Sequence, residues 1–185
     1  MSFIRPREDD TMNRWTSMTG ALLIAFAATS TYAAPPGAMI ASALAAAPHA
    51  VASGASVMTG DGKMLRKGSN GWTCMPDNPV TPGPDAMCFD KAGMAWAMAW
   101  MGHKQPPATT GFAYMLAGGT DFSNTDPYST KPTAGWVRTG PHLMILSAEA
   151  AASSGYPSGQ THPDTSKPYV MFGGTPYAHI MMPVR

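Results

Sequence analysis

Apolar positions along this chain gather in three ways. There is one unbroken run, Ala21-Leu22-Leu23-Ile24-Ala25-Phe26-Ala27-Ala28, and one dense segment, Lys91 to Met101. The rest lie in short runs set apart by glycine, proline and polar residues. In the dense segment Met94, Trp96, Met98, Trp100 and Met101 cover most of a helix circumference, Asp90 is a suitable N-cap, and Gly102 with Pro106-Pro107 supplies the stop. The spacing predicts a helix over 91–101, apolar enough to be largely buried. The short runs Phe112–Leu116, His142–Leu146, Tyr169–Phe172 and Ala178–Met181 read as strands. Ser56-Val57-Met58 and Lys63–Arg66, joined by Thr59-Gly60-Asp61-Gly62, read as a hairpin, because Asp-Gly supplies the positive φ such turns need. Gly71–Cys74 is a further short strand. The expected class is α+β: a small antiparallel β-sheet packed against one Trp/Met-rich helix, with many loops.

The unbroken run near the start has a different meaning. It follows Arg14, is roughly ten residues long against the ~20 that span a bilayer, and leads to small residues at Thr31 and Ala33. This is the pattern of a secretory signal peptide over residues 1–33, cleaved after Ala33, with a retained membrane anchor as the rival reading. Glu8-Asp9-Asp10 are out of place in a basic n-region, and a start at Met12 gives a more ordinary one. Removal leaves roughly 150 residues, the size of one domain. Residues 34–54, rich in alanine with Pro35, Pro36 and Pro48, read as a flexible leader, and 55–185 as a single α+β domain.

Composition narrows the partners. Lys and Arg number 12 against 11 Asp and Glu, scattered singly, so there is no basic stripe for nucleic acid and no polybasic membrane patch. Charged residues make up only 12% of the chain, and 19 Gly with 18 Pro favour turns over long helices. The two cysteines, Cys74 and Cys88, flank a proline-rich loop. In an oxidising compartment they are expected to form a disulfide, since neither a Cys-x-x-Cys nor a neighbouring His suggests redox or metal chemistry. The expected location is periplasmic or extracellular.

An internal echo leads to the first candidate site. Tyr114-Met115-Leu116-Ala117-Gly118-Gly119-Thr120 resembles Tyr169-Val170-Met171-Phe172-Gly173-Gly174-Thr175, and each precedes a His-x-Met: His142-Leu143-Met144 and His179-Ile180-Met181. This suggests two related strand-turn-strand units. Residues two apart share a strand face, so His142, Met144, His179 and Met181 could bring two imidazoles and two thioethers together, a set suited to copper. The 16 methionines make soft-metal binding worth weighing. Against it, methionine fills cores and a strand histidine is commonly a buried, hydrogen-bonded residue.

The polar run Asp121-Phe122-Ser123-Asn124-Thr125-Asp126-Pro127-Tyr128 is the second candidate. It spaces oxygens as calcium loops do but lacks the central Gly and closing Glu of an EF-hand, and reads as a loop of Asx and Ser/Thr turns. Asp121, Asn124, Asp126 and Tyr128 remain candidates for binding a small ligand, because long polar connections are where binding residues sit. No catalytic residue is singled out. There is no Gly-x-Ser-x-Gly elbow, no His-Glu-x-x-His pattern, and carboxylates are scarce, with Glu149 in a surface turn or short helix over 147–154.

Gly68-Ser69-Asn70-Gly71-Trp72-Thr73-Cys74-Met75-Pro76-Asp77-Asn78-Pro79, with Asn124–Tyr128 and Thr139–Ile145, resembles a family of bacterial secreted proteins. The resemblance covers most of the chain after residue 33 and implies a bacterial exported single domain, without an activity or a catalytic residue to carry over. The expected function is a non-catalytic binding domain for a small molecule or copper. The alternatives are an enzyme whose pocket gathers His142, His179 and the 121–128 loop, and a structural envelope-interaction protein, for which exposed Trp72 or Trp136 would be the cue.

Overall fold

The computed structural model describes residues 34–132 and 134–184. The expected signal peptide, with its alternative start at Met12, lies outside the described residues. In chain order the elements are α1 (Pro36–Leu44), α2 (His49–Ala52), β1 (Ser56–Met58), β2 (Met64–Arg66), β3 (Thr73–Met75), β4 (Met87–Phe89), α3 (Lys91–Met101), β5 (Gly111–Met115), β6 (Gly119–Asp121), β7 (Val137–Thr139), β8 (His142–Leu146), α4 (Ala148–Ser153), β9 (Tyr169–Met171) and β10 (His179–Pro183).

Eight strands form one sheet in the order β2-β1-β3-β4-β5-β8-β10-β9, and β6 and β7 pair separately. The α+β class is correct at this level, but the sheet is large and mixed rather than small and antiparallel. The pair β1–β3 runs parallel, with Ser56 opposite Thr73 and Val57 opposite Cys74. Four helices are described where one was expected. Several strands are only three residues long, too short for a pattern of their own; of these, β1, β3 and β4 have neighbours on both sides that complete their hydrogen bonds.

The helix over 91–101 forms as its sequence predicts. The Asp90 carboxylate accepts from Gly93 N–H (2.6 Å) and also from Phe112 N–H (3.0 Å), so one side chain caps α3 and ties it to β5. Gly93 lets the helix lie close: a Cβ there would sit 2.6 Å from the Phe112 carbonyl, and a Cβ on Gly111 would run into Gly93's backbone. The helix is not largely buried, however. Only Gly93, Trp96 and Ala97 are buried on it, while Met98 and Met101 are exposed.

The alternation of the strands sends side chains to two faces. One face gathers Met75, Phe89, Ala113, Met115, Met144, Leu146, Met181 and Tyr169 under α3. The other is covered by α1 and α2 over Cys74, Cys88 and Val57, and by α4 over Val170 and Ile180. Residues 34–54 are therefore no loose leader. Ala43, Ala46 and Ala55 have no exposed surface, and the Leu116 N–H donates to the Ala46 carbonyl at 2.9 Å. Alanines small enough to lie flat on a disulfide account for this packing, which composition alone disguised.

The echo does not mark two equivalent units. Tyr114 lies opposite Leu143 and packs on the disulfide side, whereas Tyr169 lies opposite Met181 on the α3 side, so the matched tyrosines face opposite ways. Cys74 and Cys88 are paired directly across β3 and β4 and form the disulfide. Among the described residues no helix is long and apolar enough to cross a membrane.

Candidate functional site

The strand register sets the chemistry of the α3 face. Met144 on β8 stands opposite Met181 on β10, and Met171 on β9 stands opposite His179 on β10. Both His-x-Met pairs do project from one face, as period two requires. The strands are antiparallel, however, so the histidines lie at opposite ends: His142 pairs with Pro183, four positions along from His179 and roughly 13 Å of strand away.

Between this face, α3 and two loops lies a cavity of about 160 Å³. Its apolar wall is unusual in chemistry, with the thioethers of Met87, Met115, Met144, Met171 and Met181 beside the rings of Phe89, Trp96, Trp100 and Phe172. His179, Asp85, Asp121 and Asp126 supply its ionisable groups. Three of the four expected His/Met residues thus meet there, and His142 does not. His142 Nδ1 is 2.7 Å from the Gly140 carbonyl, and its ring packs close to Gly119. A wider cavity of about 350 Å³ beside α4 and β9 is lined by alanine, glycine, serine, threonine, valine and a tyrosine, with no charged group.

The loop over 121–128 divides in role. Asp121 and Asp126 line the cavity, whereas Asn124 and Tyr128 hold the loop in place. Asn124 is buried; its Nδ2 donates to the Gln160 carbonyl (2.6 Å) and its backbone carbonyl accepts from Phe172 N–H (2.8 Å), while its Oδ1 has no donor among the described residues. Tyr128 donates to the Trp100 carbonyl (3.2 Å) and stacks on His103 at 3.8 Å between ring centroids. The Ser/Thr and Asx turn reading is correct. Ser123 Oγ accepts from the N–H groups of Thr125 and Asp126, and Asp126 accepts from Tyr128 N–H.

Asp85 was not foreseen. It sits in the disulfide loop, buried, with Oδ1 accepting from Thr120 N–H at 2.8 Å and Oδ2 accepting from the Thr81 hydroxyl. One carboxylate thereby fastens the loop between β3 and β4 to β6, beside Asp121. The staple at Cys74–Cys88 closes the base of that loop, so the disulfide also sets one wall of the cavity.

Burial governs the protonation states. His179 is pulled down to about 4 by desolvation, the Tyr177 carbonyl opposing and the charge of His142 adding to the effect. His142 is lowered for the same first reason, against the Gly140 carbonyl. Asp121 is pushed up to about 7 by desolvation and then by the neighbouring Asp85. Asp85 is itself raised by burial and by Asp77, its bonds to Thr81 and Thr120 resisting. At neutral pH the site therefore presents a neutral imidazole and a carboxyl group poised between its two forms.

Two further features mark this cavity. Phe172 carries a φ of +56°, a conformation costly for a bulky residue, and this places its ring at the cavity wall 5.5 Å from the His179 ring. Trp96, also in the wall, has a buried indole N–H with no acceptor among the described residues. The cues named for an envelope protein fare differently: Trp72 packs on Tyr114 at 5.4 Å and Trp136 on Phe122 at 4.9 Å, both half-buried. Among the described residues no three His, Cys, Asp or Glu side chains converge as a metal site. Comparison with protein-family models, curated proteins and solved structures finds no match to this chain.

Proposed function

We propose that this is an exported bacterial binding protein that holds a small guest in the cavity between α3 and the sheet, without acting on it chemically. The observation that carries this reading is the unpartnered polarity of an otherwise apolar wall. The Trp96 N–H has no acceptor among the described residues, and it faces the same cavity as His179 and Asp121. Buried groups of this kind are costly without a partner, and a guest supplies one. The strained Phe172 supports the same reading, because strain persists where the surrounding structure has a use for it. The disulfide supports export.

The cavity also bounds the guest. At about 160 Å³ it is close to the size that accommodates a benzene-sized molecule and well below ordinary drug pockets. Thermal unfolding of the protein purified from cells expressing the full chain, against small organic probes such as phenol and acetamide and against single metal ions, tests the reading. A guest at about 100 times its Kd raises Tm by roughly 6–10 °C. Ser129→Trp, at the half-buried rim, abolishes that rise while leaving the unliganded Tm in place. Absence of any stabilising probe, or equal stabilisation of the rim variant, overturns it.

A further inference from the structure

We propose that the guest is a cuprous ion, held by Nε2 of His179 and the thioethers of Met144, Met171 and Met181. This rests on the reading of the cavity as a binding site and names its ligand. The four side chains occupy adjoining positions on three neighbouring strands: Met144 faces Met181, Met171 faces His179, and His179 and Met181 are two residues apart on one strand. Directly opposed residues have Cβ atoms about 4.5–5.5 Å apart, and methionine has three rotatable bonds with which to converge. All four line the same cavity.

The imidazole is prepared for a metal. Its Nδ1 lies 2.9 Å from the Tyr177 carbonyl, which fixes the tautomer with the proton on Nδ1 and leaves the Nε2 lone pair free. The Trp96 and Phe172 rings meet it edge-on at 5.3 and 5.5 Å and hold its plane. No cluster of three His, Cys, Asp or Glu is present among the described residues, so zinc and hard divalent ions find no donor set of their own. Thioethers are soft and select Cu(I). Asp121 in the same wall supplies a countercharge for a monovalent cation. The ligand set thus differs from the one suggested by the repeated His-x-Met, with Met171 in the place of His142.

The test is competition for Cu(I) against a chromogenic Cu(I) chelator under anaerobic conditions, with X-ray absorption at the copper edge. The protein should withdraw one copper per chain into a shell dominated by sulfur. The double variant Met144→Leu/Met181→Leu, similar in volume, should fold normally and lose affinity by about 100-fold, the scale on which metal sites respond to lost support. His179→Asn should do the same where it folds. No withdrawal of copper, or equal affinity in the double Leu variant, overturns the proposal. The phenol and acetamide arms then separate the two readings: stabilisation lost in Ser129→Trp leaves the cavity as a binding site for an organic guest, and its absence removes both.

Discussion

The two faces of the sheet are built from opposite materials. On the disulfide side, Ala43 of α1, Ala52 of α2 and Ala46 between them pack against Cys74, Cys88 and Val57, all with no exposed surface or nearly none. On the α3 side, long flexible methionines and large rings surround a cavity, and the buried Trp96 N–H in its wall has no partner among the described residues. Among the described residues no buried side-chain polar atom of the first side is orphaned, whereas on the second long side chains and an orphaned N–H leave room for a guest. Where local consistency fails in one region and holds in its neighbour, the failing region is where function belongs.

The strongest way to break this comparison is to remove the staple. The disulfide closes a loop of sequence separation 14, so Cys74→Ala/Cys88→Ala should lower stability by about 3 kcal/mol in the chain-entropy account. The same loop carries Asp85 into the cavity wall, so guest binding should weaken as well. Urea unfolding and ligand titration of the variant check both. A full loss of stability with unchanged binding would show that the faces are independent.

The second prediction uses the opposed ionisations of the α3 side. Asp121 and Asp85 are raised by folding, so their contribution is greatest at low pH and is lost as pH rises, for Asp121 through about 7. His179 and His142 are lowered, so the unfolded chain binds protons that the folded one refuses, and stability falls as pH drops below the ordinary histidine value toward about 4 for His179. Each proton is worth about 1.4 kcal/mol per pH unit across its window. The acid and histidine slopes nearly cancel between pH 4.5 and 6.5, roughly the window these shifts share, and the wild-type profile should be flat there. Asp121→Asn removes one side of the balance. That variant should lose roughly 2 kcal/mol more than wild type on acidification across the window and gain stability near pH 8. Parallel profiles for the two proteins would show that Asp121 is ionised and well solvated.

The difference between the faces was only half legible in the sequence. The hairpin at 56–66, the Asp90 cap, the disulfide and the shared face of the His-x-Met pairs follow from turn chemistry, capping, compartment and period two, all of them local. The helices of residues 34–54 were missed because alanine and proline carry no strong amphipathic signal, and the order comes from contact with a disulfide far along the chain. The strands β6 and β7 are three residues each and have no periodicity to read. Asp85 joins the site through a bond to Thr120 that spans 35 residues, and Met171 joins through a strand pairing; neither contact has a local cue. The His-x-Met motif was legible as a face but not as a site, because antiparallel pairing carries its two histidines to opposite ends.

The smallest effect sharpens the comparison most. In a core packed for shape, each change of side chain is felt, whereas a face that keeps methionines for their sulfur should tolerate the same shape without it. Met144→Leu/Met181→Leu conserves volume on the α3 face, and should cost below about 1 kcal/mol per site in the unliganded protein. Urea midpoints of the double variant against wild type measure this directly. A larger cost would mean that the two thioethers, buried side by side between Ala113 and Tyr169, are there for their packing. A small one, combined with lost binding, would mean that these positions are kept as methionine for what sulfur can hold.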